Sequence, residues 1–283
     1  MASFRTWLVL GRISNLPTVW SNCLAGWWLA GGGNNGKFFP LLLGATLLYL
    51  GGMFLNDAFD ARFDAQHRRE RPIPSGAIAE KSVWQISFGL LACGLIILFM
   101  LGMTTGILGA LLVGFILLYD AVHKVITLSP LLMAACRFLL YVVAASTALG
   151  GVNGWSVWCG LALALYIVGL SFLARKEATG TTINYWPCLL LAAPIFLALV
   201  MNPGAYRESA WLLLLVLALW IIRSLRYSLH ATGANIGRTI SGLLAGIVLV
   251  DLLAVADVPH GYALIFIVLL LLALLFQKFI PAT

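Results

Sequence analysis

The stretch "NDAFDARFDAQHRRERPIPSG", starting at Asn56, brings three aspartates, a carboxamide and a run of arginines into an otherwise apolar chain. Read as a helix, it places Asn56, Asp60 and Asp64 at i, i+4 and i+8, with Asp57 three residues before Asp60, so all four project from one face. Like charges at that spacing repel by roughly 0.2 to 0.5 kcal/mol per pair, and the pattern makes most sense with a cation among them. Mg2+ is the hard, oxygen-ligated ion that leaves room for phosphate. It keeps several waters and is held by one or two carboxylates plus substrate phosphate oxygens. Asn56, Asp57, Asp60 and Asp64 are therefore the expected metal ligands, and a diphosphate the expected ligand. Downstream, Arg68, Arg69 and Arg71 in "HRRERP" offer guanidinium forks that suit phosphate oxygens. A solvated loop that merely ends a helix could carry the same residue types. The Asn, the triple acidic spacing, the arginines and the turn "RPIPSG" arrive here as one unit.

The elements that must hold these residues are membrane helices. The chain has 283 residues, 62% hydrophobic and only 10% charged, whereas soluble domains carry about a quarter charged residues. Ten apolar segments, at 16–31, 38–56, 82–101, 104–121, 129–149, 155–174, 183–201, 209–224, 236–255 and 261–280, have the length that a hydrocarbon core of about 30 Å requires. The expected fold is an all-α, polytopic transmembrane bundle of nine or ten helices in a single domain, 1–283. "LGMTTG" leaves almost no loop between the third and fourth segments. The N-terminal stretch shows no signal-peptide cleavage pattern, so it is expected to be retained.

Basic residues follow every even-numbered segment, as Arg62 to Lys81, Lys124, Arg175 and Lys176, and Arg223 to Arg238 show. The odd connections hold only Lys37 and Arg207. The positive-inside rule then places the N-terminus and the Asp-rich loop in the cytoplasm, with the protein integral to the inner (plasma) membrane. The net charge of +7 is accounted for by this topology and gives no reason to invoke nucleic acid. Five cysteines stand singly in apolar segments and form neither a disulfide framework nor a CxxC pair. The four histidines lack zinc-ligand spacing.

"NDAFDARFD" and "RPIPSG" resemble the first signature of the UbiA superfamily of intramembrane prenyltransferases. "GRISNLPTVW" is similar to the family's N-terminal Arg and Asn segment, and "YDAVHKVITLSP" to its Tyr-to-Lys stretch. The resemblance implies a UbiA-like fold in which Asn56, Asp57, Asp60 and Asp64 hold Mg2+ against the diphosphate of a polyprenyl donor. It also implies that Arg12, Asn15, Tyr119 and Lys124 contact diphosphate or acceptor. The implied reaction moves an isoprenoid group to an aromatic or other lipophilic acceptor, in contact with membrane lipid.

One position departs from the pattern. Where the family carries a second Asp-rich motif after the sixth span, this chain reads "LSFLARKEATG". Either Arg175 and Lys176 neutralise diphosphate directly, with Glu177 ligating the ion or orienting Arg175, or the loop has lost catalytic function. In the second case the fold is a non-catalytic lipid-binding protein or a transporter of an amphiphilic precursor. With "CRFLLY" in the fifth span, "ARKE" resembles the EboC-like branch of the superfamily. Arg137 of that span is costly in a membrane, by about 2.5 kcal/mol or more, and should face the interior with a partner, either diphosphate or an acid such as Asp120 or Glu177. Asp251, with no evident partner in the sequence, reads as a structurally buried acid, a helix-packing acid or a proton-linked one.

Overall fold

In the computed structural model, the described residues are 3–33, 35–179, 186–201, 204–229 and 236–282. They form twelve α-helices and one short 3-10 turn, Ile13–Asn15. The helices are α1 (Phe4–Leu10), α2 (Leu16–Leu29), α3 (Asn35–His67), α4 (Glu80–Leu101), α5 (Met103–Val122) and α6 (Ser129–Ser146). They continue as α7 (Gly154–Thr179), α8 (Pro187–Leu190), α9 (Ala193–Val200), α10 (Gly204–Leu229), α11 (Ile236–Ala254) and α12 (His260–Gln277). Eight of these are long and apolar enough to cross a membrane. Each of the ten sequence segments maps to a helix or, for the seventh, to the pair α8 and α9.

The seventh segment breaks because Pro194 stands two residues into α9, where its ring would collide with the carbonyl four residues back. The α4–α5 hairpin turns on Gly102 alone, at φ +155°, a conformation open to glycine and closed to residues with a Cβ. Exposed residues such as Met100, Ile107, Leu212 and Leu271 ring the bundle as a lipid-facing surface. Cys93 also lies on that surface, while Cys23 and Cys159 are core residues, and all five thiols are free.

α3 does the positioning. At 1.5 Å per residue its 33 residues extend about 50 Å, well beyond a hydrocarbon core of about 30 Å. A span takes about twenty of these residues, so α3 is long enough for Asn56 to Asp64, in its last third, to project beyond one. Its contact with α4 is a backbone approach, since a Cβ on Gly94 would lie 2.9 Å from the Gly44 carbonyl oxygen. α2 meets α6 more closely still, where a Cβ on Gly26 would fall 2.5 Å from the Tyr141 carbonyl oxygen.

Candidate functional site

Between Asn56 and Asp64 the exposed residues of α3 are Phe59, Arg62 and Phe63, while Asn56, Asp57, Asp60 and Asp64 are all buried on the opposite face. The expectation that the four share a face is met. Each is engaged by a neighbour from outside the helix. Arg71 Nη1 donates to Asp57 Oδ1 at 2.8 Å, and its Nε lies 3.8 Å from Asp64 Oδ2. Lys124 Nζ stands 2.6 Å from Asp60 Oδ1, with His123 Nε2 at 3.4 Å from the same oxygen. Arg12 Nη2 reaches both Asn56 Oδ1 at 3.3 Å and Asp57 Oδ1 at 3.4 Å. The Asn56 amide donates to Asp120 Oδ1 at 3.1 Å.

Local folding explains which arginine arrives. After α3 the "RPIPSG" segment closes in successive turns, with Ser75 N–H donating to the Arg71 carbonyl and Gly76 N–H to that of Ile73. Ile78 then anchors the turn in a small apolar cluster with Leu10, Phe54, Ala58 and Val83. This fold-back returns Arg71 to the acids. Arg69 instead is exposed and donates to the Ala65 carbonyl, and among the described residues it is Arg71 that pairs with the acids.

Arg12 holds a left-handed backbone at φ +41°, ψ +52°, the one positive φ among described non-glycine residues. Such a conformation costs about 1 to 3 kcal/mol and persists where surrounding contacts fix it. Here the Tyr49 hydroxyl donates to the Arg12 carbonyl at 3.0 Å, and the guanidinium is tied to Asn56 and Asp57. Burial opposes its charge, but Asp57 above all, with Tyr49, Tyr119 and Asp60, outweighs that and raises its pKa. Arg71 is shifted the other way, by burial first and then by Arg12. Both guanidinium groups keep their charge.

Tyr119 is present at the site, with its ring stacked on His123 at 5.1 Å between centroids. Asn15 is buried beside Arg12, but its amide donates to the Ala282 main-chain carbonyl at 2.8 Å, so it ties the 3-10 turn to the segment after α12. Arg175 Nη1 donates to the Ile126 carbonyl at 2.6 Å and to Ser129 Oγ at 3.2 Å. It thereby bridges α7 to the α5–α6 loop that carries Lys124. The side chains of Lys176 and Glu177, where the family's second acidic motif is expected, lie outside the described residues.

Arg137 sits apart, midway along α6, bonded to Asn22 Oδ1 and Thr18 Oγ1 rather than to Asp120. Asp251 has the partners its sequence context did not reveal, Ser21 Oγ and the Asn22 amide. Asp120, His123 and Tyr49 are site residues that the motif reading missed. The signal was present for two of them, because both Asp120 and His123 lie inside "YDAVHK".

The donor set suits a hard divalent ion. Among the described residues, Asp64 Oδ1, Asp120 Oδ2 and, beside Ser21 and Asn22, Asp251 Oδ1 are buried carboxylate oxygens with no hydrogen-bond partner. Such orphaned acceptors are rare in packed proteins and call for a proton or a cation. Among the described residues no ready cage of three His, Cys, Asp or Glu side chains exists.

Residues 18–235 match the UbiA prenyltransferase family. The chain belongs to that family. Over 122 residues it is 34% identical to the digeranylgeranylglyceryl phosphate synthase of Sulfolobus acidocaldarius, covering 42% of each chain. It is 31% identical over 91 residues to the protoheme IX farnesyltransferase of Macrococcus caseolyticus, covering 31% of this chain and 30% of that one. The aligned stretches thus span less than half the length of these curated relatives. This UbiA-family chain also shares its fold with solved structures. A UbiA homologue from Archaeoglobus fulgidus bound to GPP and Mg2+ superposes with a TM-score of 0.66 at 11% identity, over 96% of this chain and 99% of that one. A digeranylgeranylglyceryl phosphate synthase structure does so with a TM-score of 0.64 at 18% identity, over 91% and 99%.

Proposed function

We propose that this protein is a Mg2+-dependent intramembrane prenyltransferase that moves an isoprenoid group from a polyprenyl diphosphate to an aromatic or other lipophilic acceptor. The observation that carries the reading is the buried acidic face of α3, with orphaned oxygens on Asp64 and Asp120, set against Arg12, Arg71 and Lys124 at the membrane edge. Asn56, Asp57, Asp60 and Asp64 would hold the ion. When bound, Mg2+ supplies charge neutralisation for the departing diphosphate.

The protein's own groups do the rest. Arg71 and Lys124 have N–H donors beyond those taken by Asp57 and Asp60, and these receive phosphate oxygens. The isoprenoid tail lies among the helices. As the allylic C–O bond breaks, its electron pair leaves with the diphosphate. The acceptor supplies the pair for the new bond and then loses a proton. The apolar bundle keeps water from the carbocation. Arg12 and Tyr119 are assigned to diphosphate or acceptor contact. Arg175 acts through the α5–α6 loop, and Glu177 and Lys176 are assigned to the side of the site that "ARKE" occupies.

The whole chain, 1–283, is taken as one domain in the inner membrane, with the N-terminus and Asp-rich loop cytoplasmic. The distribution of basic residues supports that orientation. We place it in the EboC-like branch on "CRFLLY" and "LARKEATG". One observation favours a non-catalytic lipid-binding or transport role instead: Arg175 gives hydrogen bonds to the Ile126 carbonyl and Ser129 Oγ, which tie α7 to the α5–α6 loop.

The deciding experiment is transfer from radiolabelled isoprenoid diphosphates of several lengths, with Mg2+ or chelator, in the parent, Asp60→Ala and Asp64→Ala. Product in the parent alone, and only with Mg2+, is expected. Absence of product or released diphosphate with every donor and acceptor sinks the enzyme reading in favour of the binding one.

A further inference from the structure

Arg137 is the ninth residue of an 18-residue helix, about 12 Å from its start, at a depth where an unneutralised charge is not tolerated. No salt bridge reaches it among the described residues. Its two hydrogen bonds go to neutral acceptors, Asn22 Oδ1 at 2.8 Å and Thr18 Oγ1 at 3.1 Å. One carboxylate, Asp251, is fully buried and is joined to it through Asn22, whose amide nitrogen donates to Asp251 Oδ2 at 2.7 Å. Ser21 Oγ donates to that same oxygen. Charge balance is thus supplied from behind, at one remove.

The guanidinium keeps hydrogen-bonding capacity that the bundle does not use. Two of its five N–H donors are used, and the other three have no partner among the described residues. The side chain is only half-buried even though the residue lies in mid-helix. A membrane arginine fixed by two side chains, backed by a buried acid and left with three unused donors is built to receive an anion.

We propose that Arg137 receives the anionic head group, carboxylate or phosphate, of an amphiphilic acceptor inside the bundle, with Thr18 and Asn22 as positioning residues. The inference rests on the prenyltransferase reading for the word acceptor, but anion binding at Arg137 is testable without it.

The test uses the full chain in nanodiscs of phosphatidylcholine with chelator present, so that no metal bridges an anion to the acids. Thermal unfolding is followed against dodecyl phosphate and against dodecanol. Dodecyl phosphate raises the midpoint of the parent, and dodecanol at equal concentration does not. Arg137→Gln weakens the apparent Kd for dodecyl phosphate about 10- to 100-fold, as loss of charge-assisted hydrogen bonds implies. Where that variant does not fold, Arg137→Lys, which keeps charge but loses the fork, and Thr18→Val serve in its place, each with measurably weaker binding.

Undiminished binding in these variants, or an equal response to dodecanol, overturns the proposal. If replacing part of the phosphatidylcholine by phosphatidylglycerol abolishes the dodecyl phosphate response, the site belongs to membrane lipid and the acceptor assignment is overturned. The shift given by inorganic diphosphate with Mg2+ should be unchanged in Arg137→Gln. Its absence in the parent would count against the proposed function alone.

Discussion

The Lys124 ammonium lies 2.6 Å from Asp60 Oδ1 and 3.8 Å from the centre of the Phe63 ring. One cation from the end of α5 is therefore held over two successive turns of α3, by a carboxylate on the buried side and a ring face on the exposed side. Lys124→Met removes a donor aimed at developing diphosphate charge, and a fall in kcat of about 100-fold is expected in the transfer assay. Lys124→Arg should recover part of it. If Lys124→Met retains parental kcat, the lysine is a structural counter-ion for Asp60 and nothing more.

The pairing of Arg71 with Asp57 makes a different prediction, about coupling. Arg71→Gln leaves Asp57 buried with only the longer contact to Arg12, and it should lower stability by about 1 to 3 kcal/mol. Asp57→Asn in the same chain should restore part of that loss, because the uncompensated charge is gone. A double-mutant cycle on thermal or denaturant unfolding measures the interaction, expected at about 0.5 to 3 kcal/mol. Additive losses would show that the two side chains do not depend on each other.

How far the sequence reached depends on whether partners share an element. Asn56 to Asp64 lie on one helix, and helical periodicity alone predicted their common face. The ten apolar segments were legible for the same reason, since each needs only its own length and composition. Arg71 was identified as a candidate together with Arg68 and Arg69. Only the turns of "RPIPSG" select among the three, and those turns depend on Ile78 packing against Leu10 and Phe54. Asp251 meets Ser21 and Asn22 across about 230 residues of chain, and no local pattern encodes that contact. Asn15 was legible as a polar residue at the right place, but its bond to the Ala282 carbonyl was not, because main-chain acceptors carry no residue signature.

Asp64 offers a test in which the sign changes with the metal. Its Oδ1 is buried without a hydrogen-bond partner, and its neighbours on α3 are also acids. In chelator, Asp64→Asn should therefore be as stable as the parent or more stable, by about 0.5 to 2 kcal/mol. With Mg2+ and diphosphate the order should reverse, since the parent alone gains fully from the ligand. Parallel unfolding curves for the two proteins in both conditions would remove Asp64 from the ion's ligands.

Arg175 should act on the α5–α6 loop. Its donation to the Ile126 carbonyl tethers a segment two residues beyond Lys124. Arg175→Ala is expected to speed hydrogen exchange at residues 123–128 and to lower transfer activity through Lys124. Adding Lys124→Met to it should then cost little more. If exchange in that loop is unchanged while activity falls, Arg175 contacts the substrate directly.

The last prediction concerns the close crossing of α2 and α6. A Cβ on Gly26 would lie 2.5 Å from the Tyr141 main-chain oxygen, and backbone cannot step aside as a side chain can. Gly26→Ala should therefore separate the two helices and lower stability by about 1 to 3 kcal/mol. Gly114, with open space around its Cβ direction, is the control, and Gly114→Ala should be neutral or slightly stabilising through helix propensity. Because Asn22 is one turn before Gly26 and Arg137 one turn before Tyr141, the same shift should lengthen the Arg137 to Asn22 bond. Gly26→Ala should then weaken dodecyl phosphate binding without touching any atom of the anion's receptor. Equal stability and equal binding in Gly26→Ala and Gly114→Ala would mean that the crossing has more room than the structure gives it.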